Sequence, residues 1–208
     1  MAISVEHDKR RKKILENALA VFVEDGFEEA TYQKIADRCG ITRTILYLYF
    51  KNKREIFSYS IKQLLLSVEE KINEIRADVS INSIEKIKNL YTVIFKLLEQ
   101  NQQLLSVVLD YLLYLSKSAI SPEERVRKRT GKLRHVLLAI IKDGIKKGEL
   151  KKTSLTAAGN YLYSFIDAGI YQLVVLKRSA LDEIKETAFY AVNQLSVIPS
   201  SGKNEASP

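Results

Sequence analysis

Between residues 31 and 53 the chain reads TYQKIADRCGITRTILYLYFKNK, and this stretch limits the possible folds more than any other. Thr31 is a good N-cap for a helix over Tyr32 to about Cys39, with Ile35 and Ala36 turned inward. Lys34 stands where a capping box would place Glu or Gln, so the box is absent. Gly40 closes that helix and makes the turn, and Thr42 caps a second short helix, Arg43 to about Tyr49. Asn52 then caps a long helix, with Glu55 completing a capping-box-like pair. Two short helices around a glycine turn are the layout of a helix-turn-helix, whose second helix enters the DNA major groove.

The flanking sequence is helical throughout. Ile14, Leu15, Ala18, Leu19 and Phe22 line one face of a first helix, about Lys9 to Asp25, and Gly26 follows as a left-handed cap. Lys9, Arg10, Arg11, Lys12 and Lys13 crowd its start, the wrong end for cations in the field of the helix dipole. They are either a solvated face or a phosphate-contacting arm. The fourth helix reaches about Ala77. Further helices are expected over Ser83 to about Glu99, Gln103 to Ser116, Pro122 to Gly148, Thr156 to Lys177 and Leu181 to Val197. Pro122 suits a first helical turn. The expected fold is all-α, with about nine helices and no strand. The helix around Tyr161 to Leu176 is apolar nearly all round, so in a bundle of modest size it is expected to meet another chain.

Composition narrows the function. Three prolines and eight glycines in 208 residues leave little loop material. One cysteine cannot form an internal disulfide, so a reducing, cytoplasmic setting is expected. The most apolar stretch, Leu162 to Leu176, is broken by Ser164, Asp167 and Gln172, which argues against a membrane span. The formal net charge of +8 suits a polyanionic partner. Residues 1–54 carry eleven Lys/Arg against eight Asp/Glu and the remainder twenty-two against seventeen, so bulk charge does not locate the site. His7 and His135 are the only histidines, and neither a metal-ligand cluster, a phosphate loop nor a nucleophile elbow occurs. His135 reads as a partly buried polar residue. No catalytic residue, metal or cofactor is expected.

Several short pieces occur in one order: Leu19-Phe22-Gly26-Phe27, Thr31 with Ile35-Ala36, Gly40-Ile41-Thr42, Leu46-Tyr47 and Tyr49-Phe50-Lys51-Asn52-Lys53. From Ile14 to Phe57 the chain resembles the DNA-binding domain of the TetR family of transcription regulators. The remainder is similar only in plan, with Gly148-Glu149-Leu150 and Asp167-Ala168-Gly169 as weaker echoes. The resemblance implies a helix-turn-helix domain over 1–54 and a helical effector-binding and dimerisation domain over 55–198, while PSSGKNEASP reads as a disordered tail over 199–208.

Arg43, Thr44 and Ile45 occupy the groove-facing start of the recognition helix. Arg43 suits a bidentate contact to guanine, and Thr44 and Ile45 a thymine methyl. The phosphate candidates are Thr31, Thr42, Tyr47, Tyr49 and Lys53, with Lys53 beside the free N–H groups of a helix start. Where Thr44 and Ile45 stand the family often has Gly and Thr, so no known operator carries over. Cys39 reads as a buried core thiol. On helices that family members use to wall a ligand pocket lie Tyr91, Phe95, Tyr111, Tyr114 and Tyr163, either pocket lining or plain core. The basic run Arg125 to Lys132 is an anion contact or a solvated face. The expected partners are a palindromic double-stranded operator, a second copy of the chain held through the last two helices, and an unidentified small-molecule effector. Repression is the expected outcome. The competing reading is a structural DNA-binding protein without effector.

Overall fold

The computed structural model describes the backbone of residues 2–116 and 122–197, with side chains described there except at 2–5, 64, 67, 114, 116 and 122–130. The expected tail therefore lies outside the described residues. The helices are α1 (Ala2–Glu29), α2 (Tyr32–Cys39), α3 (Arg43–Tyr49), α4 (Lys53–Ala77), α5 (Ser83–Gln100), α6 (Gln102–Ser116), α7 (Pro122–Lys147), α8 (Leu155–Val174) and α9 (Asp182–Gln194). Among the described residues the β pairing is one isolated bridge between Leu150 and Ser196. The all-α expectation holds.

Contacts divide the chain into two compact units, one of Met1–Glu70 with Gln103–Ser121, the other of Lys71–Gln102 with Pro122–Pro208. In the first, Ile14 and Ala18 of α1, Ile35 and Ala36 of α2, Leu46 of α3 and Phe57 of α4 share one core. Phe22 meets Phe57 edge-on at 4.9 Å, and Tyr111 of α6 lies 4.3 Å from Phe27 and 5.1 Å from Phe57. Each such pair adds about 0.5–1.5 kcal/mol beyond the area it buries.

One expectation for α1 is corrected: it starts at Ala2 rather than near Lys9, because nothing between them interrupts the helix. The helix does break at Gly26, as expected, though at φ 79° and ψ 171°, an extended positive-φ conformation nearly confined to glycine rather than a left-handed helical cap, and a short helical piece follows this kink through Glu29. Gly40, by contrast, takes the left-handed cap conformation expected of it, at φ 64° and ψ 34°.

In the second unit α5 packs on α7, α8 and α9, burying Ile87, Leu90, Tyr91, Ile94 and Phe95. The Tyr91 hydroxyl donates to the Leu162 carbonyl at 2.6 Å, and its burial pushes the phenol's pKa upward. Asn82 and Glu85 close a full capping box on α5. Lys86, though charged, is buried and donates to the Arg76 carbonyl at 2.8 Å, satisfying one of the open acceptors at the end of α4. The α8 helix stops at Val174, short of the expected Lys177, which takes a positive φ of 54° in the following turn.

Glu149 accepts a hydrogen bond from the Ser83 amide at 2.8 Å, and the Ser83 hydroxyl first, then this amide, lower its carboxyl pKa against the opposing effect of burial. A depressed carboxyl stabilises the fold fully above the unfolded glutamate pKa of about 4.3, and that contribution fades as pH falls through the lower folded value. Glu149→Gln should therefore melt below wild type at pH 7, with the gap closing as both are acidified below about pH 4. Melting curves that stay equally far apart across that range would remove this role.

Candidate nucleic-acid interface

The second helix of the motif is short, and its presentation depends on a few buried anchors. Leu46 and Phe50 are essentially fully buried, so the opposite side of α3 must face outward. Both ends are closed locally. At the start of α2 the Thr31 hydroxyl accepts from the Lys34 amide at 3.2 Å; α3 itself is closed at its start by the Thr42 hydroxyl, which accepts from the Ile45 amide at 3.3 Å, and at its end by the Phe50 amide, which donates to the Leu46 carbonyl at 3.1 Å. At the start of α4, Asn52 accepts from the Glu55 amide at 2.9 Å, while the Glu55 carboxylate accepts from the Lys51 amide at 2.6 Å. The expected pair exists, with its return bond shifted one residue toward the recognition helix.

Of the expected base readers, Arg43 and Thr44 are exposed and Ile45 is half-buried. Tyr47 is 50% exposed, and one Arg43 guanidinium nitrogen lies 3.5 Å from its hydroxyl. The Tyr47 ring stacks on Tyr32 of α2 at 4.5 Å and 14°. Tyr32 in turn donates its hydroxyl to the Phe50 carbonyl at 3.0 Å. Burial, then the neighbouring Tyr47 and Glu55, push the Tyr32 phenol up to about 12, so it stays a donor. Tyr49 is half-buried and stacks on His7 of α1 at 4.7 Å and 24°. Arg43, Thr44, Tyr47 and Tyr49 thus lie on α3, and Thr31 and Thr42 cap the two short helices, all within one unit.

Lys53 has a more constrained position than its sequence context suggests. Its ammonium donates to the Glu28 carbonyl at 2.8 Å and lies 4.7 Å over the Phe27 ring, and burial lowers its pKa. It ties the start of α4 to the kinked end of α1. Within the basic run at the start of α1, Arg11 covers Phe50 and Tyr59 at 5.2 and 4.4 Å, while Lys9, Arg10, Lys12 and Lys13 are exposed. Two ion pairs brace α2 against α1: Arg38 grips Glu24 with both terminal nitrogens, and Lys34 meets Asp25 at 3.1 Å. Both pairs are exposed and screened by solvent, so their value is mainly orientation.

Sequence reasoning missed Tyr32, His7 and Leu48. The first two act through contacts across helices, which no local signal announces. Leu48 is 77% exposed, between the two tyrosines, where an apolar side chain can meet a sugar or a thymine methyl. Cys39 is half-buried rather than fully buried, and burial raises its thiol pKa. His135 is exposed rather than partly buried, its Nδ1 lying 2.6 Å from the Gly131 carbonyl.

The five pocket candidates do not fall together in one core. Tyr91 and Phe95 stack at 5.6 Å in the second unit, where Tyr163 is half-buried with Arg134 6.0 Å from its ring. Tyr111 belongs to the core of the first unit, its hydroxyl buried without a hydrogen-bond partner among the described residues. The side chain of Tyr114, and those of the basic run up to Arg129, lie outside the described residues.

Residues 14–59 match the family described as bacterial regulatory proteins, tetR family. Over those residues the chain carries the DNA-binding domain of the TetR family. It is a helix-turn-helix transcriptional regulator and not an enzyme. A fatty acid metabolism regulator protein of Bacillus subtilis is 27% identical over 184 residues, spanning 82% of this chain and 91% of that protein. The transcriptional repressor KstR2 of Mycobacterium tuberculosis is 26% identical over 142 residues, 68% of this chain and 69% of the repressor. Among solved structures, the regulator FadR from Bacillus subtilis in complex with stearoyl-CoA shares the fold with a TM-score of 0.72 at 23% identity, over 89% of this chain and 97% of that one. No described helix is long and apolar enough to cross a membrane.

The two kinds of contact separate by mutation. Arg43→Ala should cost about 1–3 kcal/mol on DNA carrying the preferred base and little on random DNA. Tyr47→Ala should weaken both by the same factor, since phosphate contacts carry no sequence information. Equal losses on both DNAs for Arg43→Ala would remove its base-reading role.

Proposed function

We propose that the protein is a ligand-responsive repressor that binds a palindromic operator as a homodimer and is released by a fatty acyl-CoA. In this reading residues 1–54 form the DNA-binding domain and residues 55–198 the effector-binding and dimerisation domain. Arg43, Thr44 and Ile45 meet base edges, while Thr31, Thr42, Tyr47, Tyr49 and Lys53 hold phosphates. The observation that carries the effector is the reach of the similarity. The match to the fatty acid metabolism regulator spans 184 residues, far beyond the 46 of the family's DNA-binding segment, so it includes the helices that would hold a ligand. Its fold is also that of a protein seen with stearoyl-CoA bound. Repression is supported by the similarity to KstR2.

The dimer is supported by what α8 and α9 leave uncovered. Tyr161, Tyr171 and Val175 are about half-exposed along one side of α8, and Tyr190 of α9 is 67% exposed. In this reading a second copy related by a two-fold axis covers that surface, and a palindromic operator requires the two recognition helices to lie about 34–36 Å apart, one turn of DNA. The effector acts by preferring a conformer whose heads are wrongly spaced, which requires a differential affinity of typically 1–3 kcal/mol.

Stearoyl-CoA at a hundred times its dissociation constant should add about 2.7 kcal/mol and raise the melting temperature by about 5–10 °C. It should also release bound DNA, and free CoA at the same concentration should do neither. An unchanged melting point and unchanged DNA affinity with stearoyl-CoA would reject the acyl-CoA effector. Sedimentation as a monomer at micromolar concentration would reject the dimer.

A further inference from the structure

The two tyrosines of α3 leave the helix on different sides, and each is backed by a ring from another helix. Tyr47 rests on Tyr32 of α2, with the rings 4.5 Å apart and 14° from parallel. Tyr49 rests on His7 of α1, 4.7 Å apart and 24° from parallel. His7 is placed there by a face of α1 that continues one turn further on. Residues four apart share a helix face, and Arg11 on that face lies over Phe50 and Tyr59. The early start of α1 at Ala2 is thus what carries an imidazole to the recognition helix.

We propose that His7 is a positioning residue for DNA binding, holding the Tyr49 ring in the orientation from which its hydroxyl meets a phosphate. The inference rests on the DNA-binding role of Tyr49 proposed above. A half-buried tyrosine that must be ordered on binding loses side-chain freedom at that moment, and a ring already stacked has lost it beforehand. His7 is itself exposed, so its removal leaves no cavity in the core. Its effect reaches DNA through Tyr49 alone, which separates it from the exposed lysines and arginines around it.

The test is a double-mutant cycle on the full chain, read by fluorescence anisotropy with both selected and random DNA. His7→Ala should weaken binding about three- to tenfold, the range an aromatic pair commands, by the same factor on both DNAs. His7→Phe, which keeps a stacking ring and discards the imidazole nitrogens, should restore wild-type affinity. In a Tyr49→Leu background His7→Ala should cost nothing further in DNA affinity, and every variant should stay folded, its melting temperature lowered by no more than the few degrees that one aromatic pair is worth. An unchanged affinity in His7→Ala, a failure of His7→Phe to rescue, or an undiminished loss in the Tyr49→Leu background would each overturn the proposal. Tyr49→Leu binding as tightly as wild type would instead sink the phosphate role of Tyr49 on which it rests. Wild-type protein that binds no DNA would sink the functional reading itself.

Discussion

The burial of Leu46 and Phe50 is the constraint on which the reading surface depends. A seven-residue helix has too few internal hydrogen bonds to persist alone, since isolated helices shorter than about 12–15 residues are marginal in water. Its stability must come from packing. The two side chains set its rotation about its own axis, and that rotation decides that Arg43, Thr44 and Tyr47 are the groups left outside. The core that receives them is aromatic: Phe22, Phe27, Phe57 and Tyr111 contact one another within the same unit. Such a core is stiff, and a stiff core lets a few side chains be presented in fixed positions.

Around this anchor the polar contacts set positions more than they add stability. Tyr32 reaches from α2 to the carbonyl of Phe50, the residue that ends α3, and at the same time supports Tyr47. Lys53 joins the start of α4 to Glu28, just past the kink at Gly26. Glu55 and Asn52 close the amides between α3 and α4. The neutral bonds of Tyr32 and Asn52 are worth about 0.5–1.5 kcal/mol each, and those of the charged Lys53 and Glu55 somewhat more. Their shared consequence is that α1, α2 and α4 all bear on the placement of one short helix.

The parts of this arrangement that are legible in the sequence are those with a local cause. The ends of α2 and α3 follow from Thr31, Gly40 and Thr42, because capping is decided within three or four residues. The all-helical fold follows from sustained periodicity and sparse proline. Where the cause is distant, the sequence is silent. Nothing near Lys53 announces a bond to Glu28 twenty-five positions earlier, and nothing near His7 announces Tyr49. The aromatic residues expected to line one pocket divide between two cores for the same reason: helical spacing shows that a residue is inward and not which interior it enters. No local signal marks the start of α1 at Ala2: the cations from Lys9 to Lys13 sit inside the helix, and packing of the Arg11 face over Phe50 and Tyr59 supports it.

The central claim is that α3, held by this core, reads a particular DNA sequence. Selection from a randomised double-stranded pool at physiological salt, followed by footprinting of the enriched sequences, tests it most directly. The account predicts one enriched palindrome whose half-sites lie about one helical turn apart, with protection centred on the two major grooves. Salt-sensitive binding that enriches no sequence would contradict it, and would leave a protein that holds the DNA backbone without reading bases.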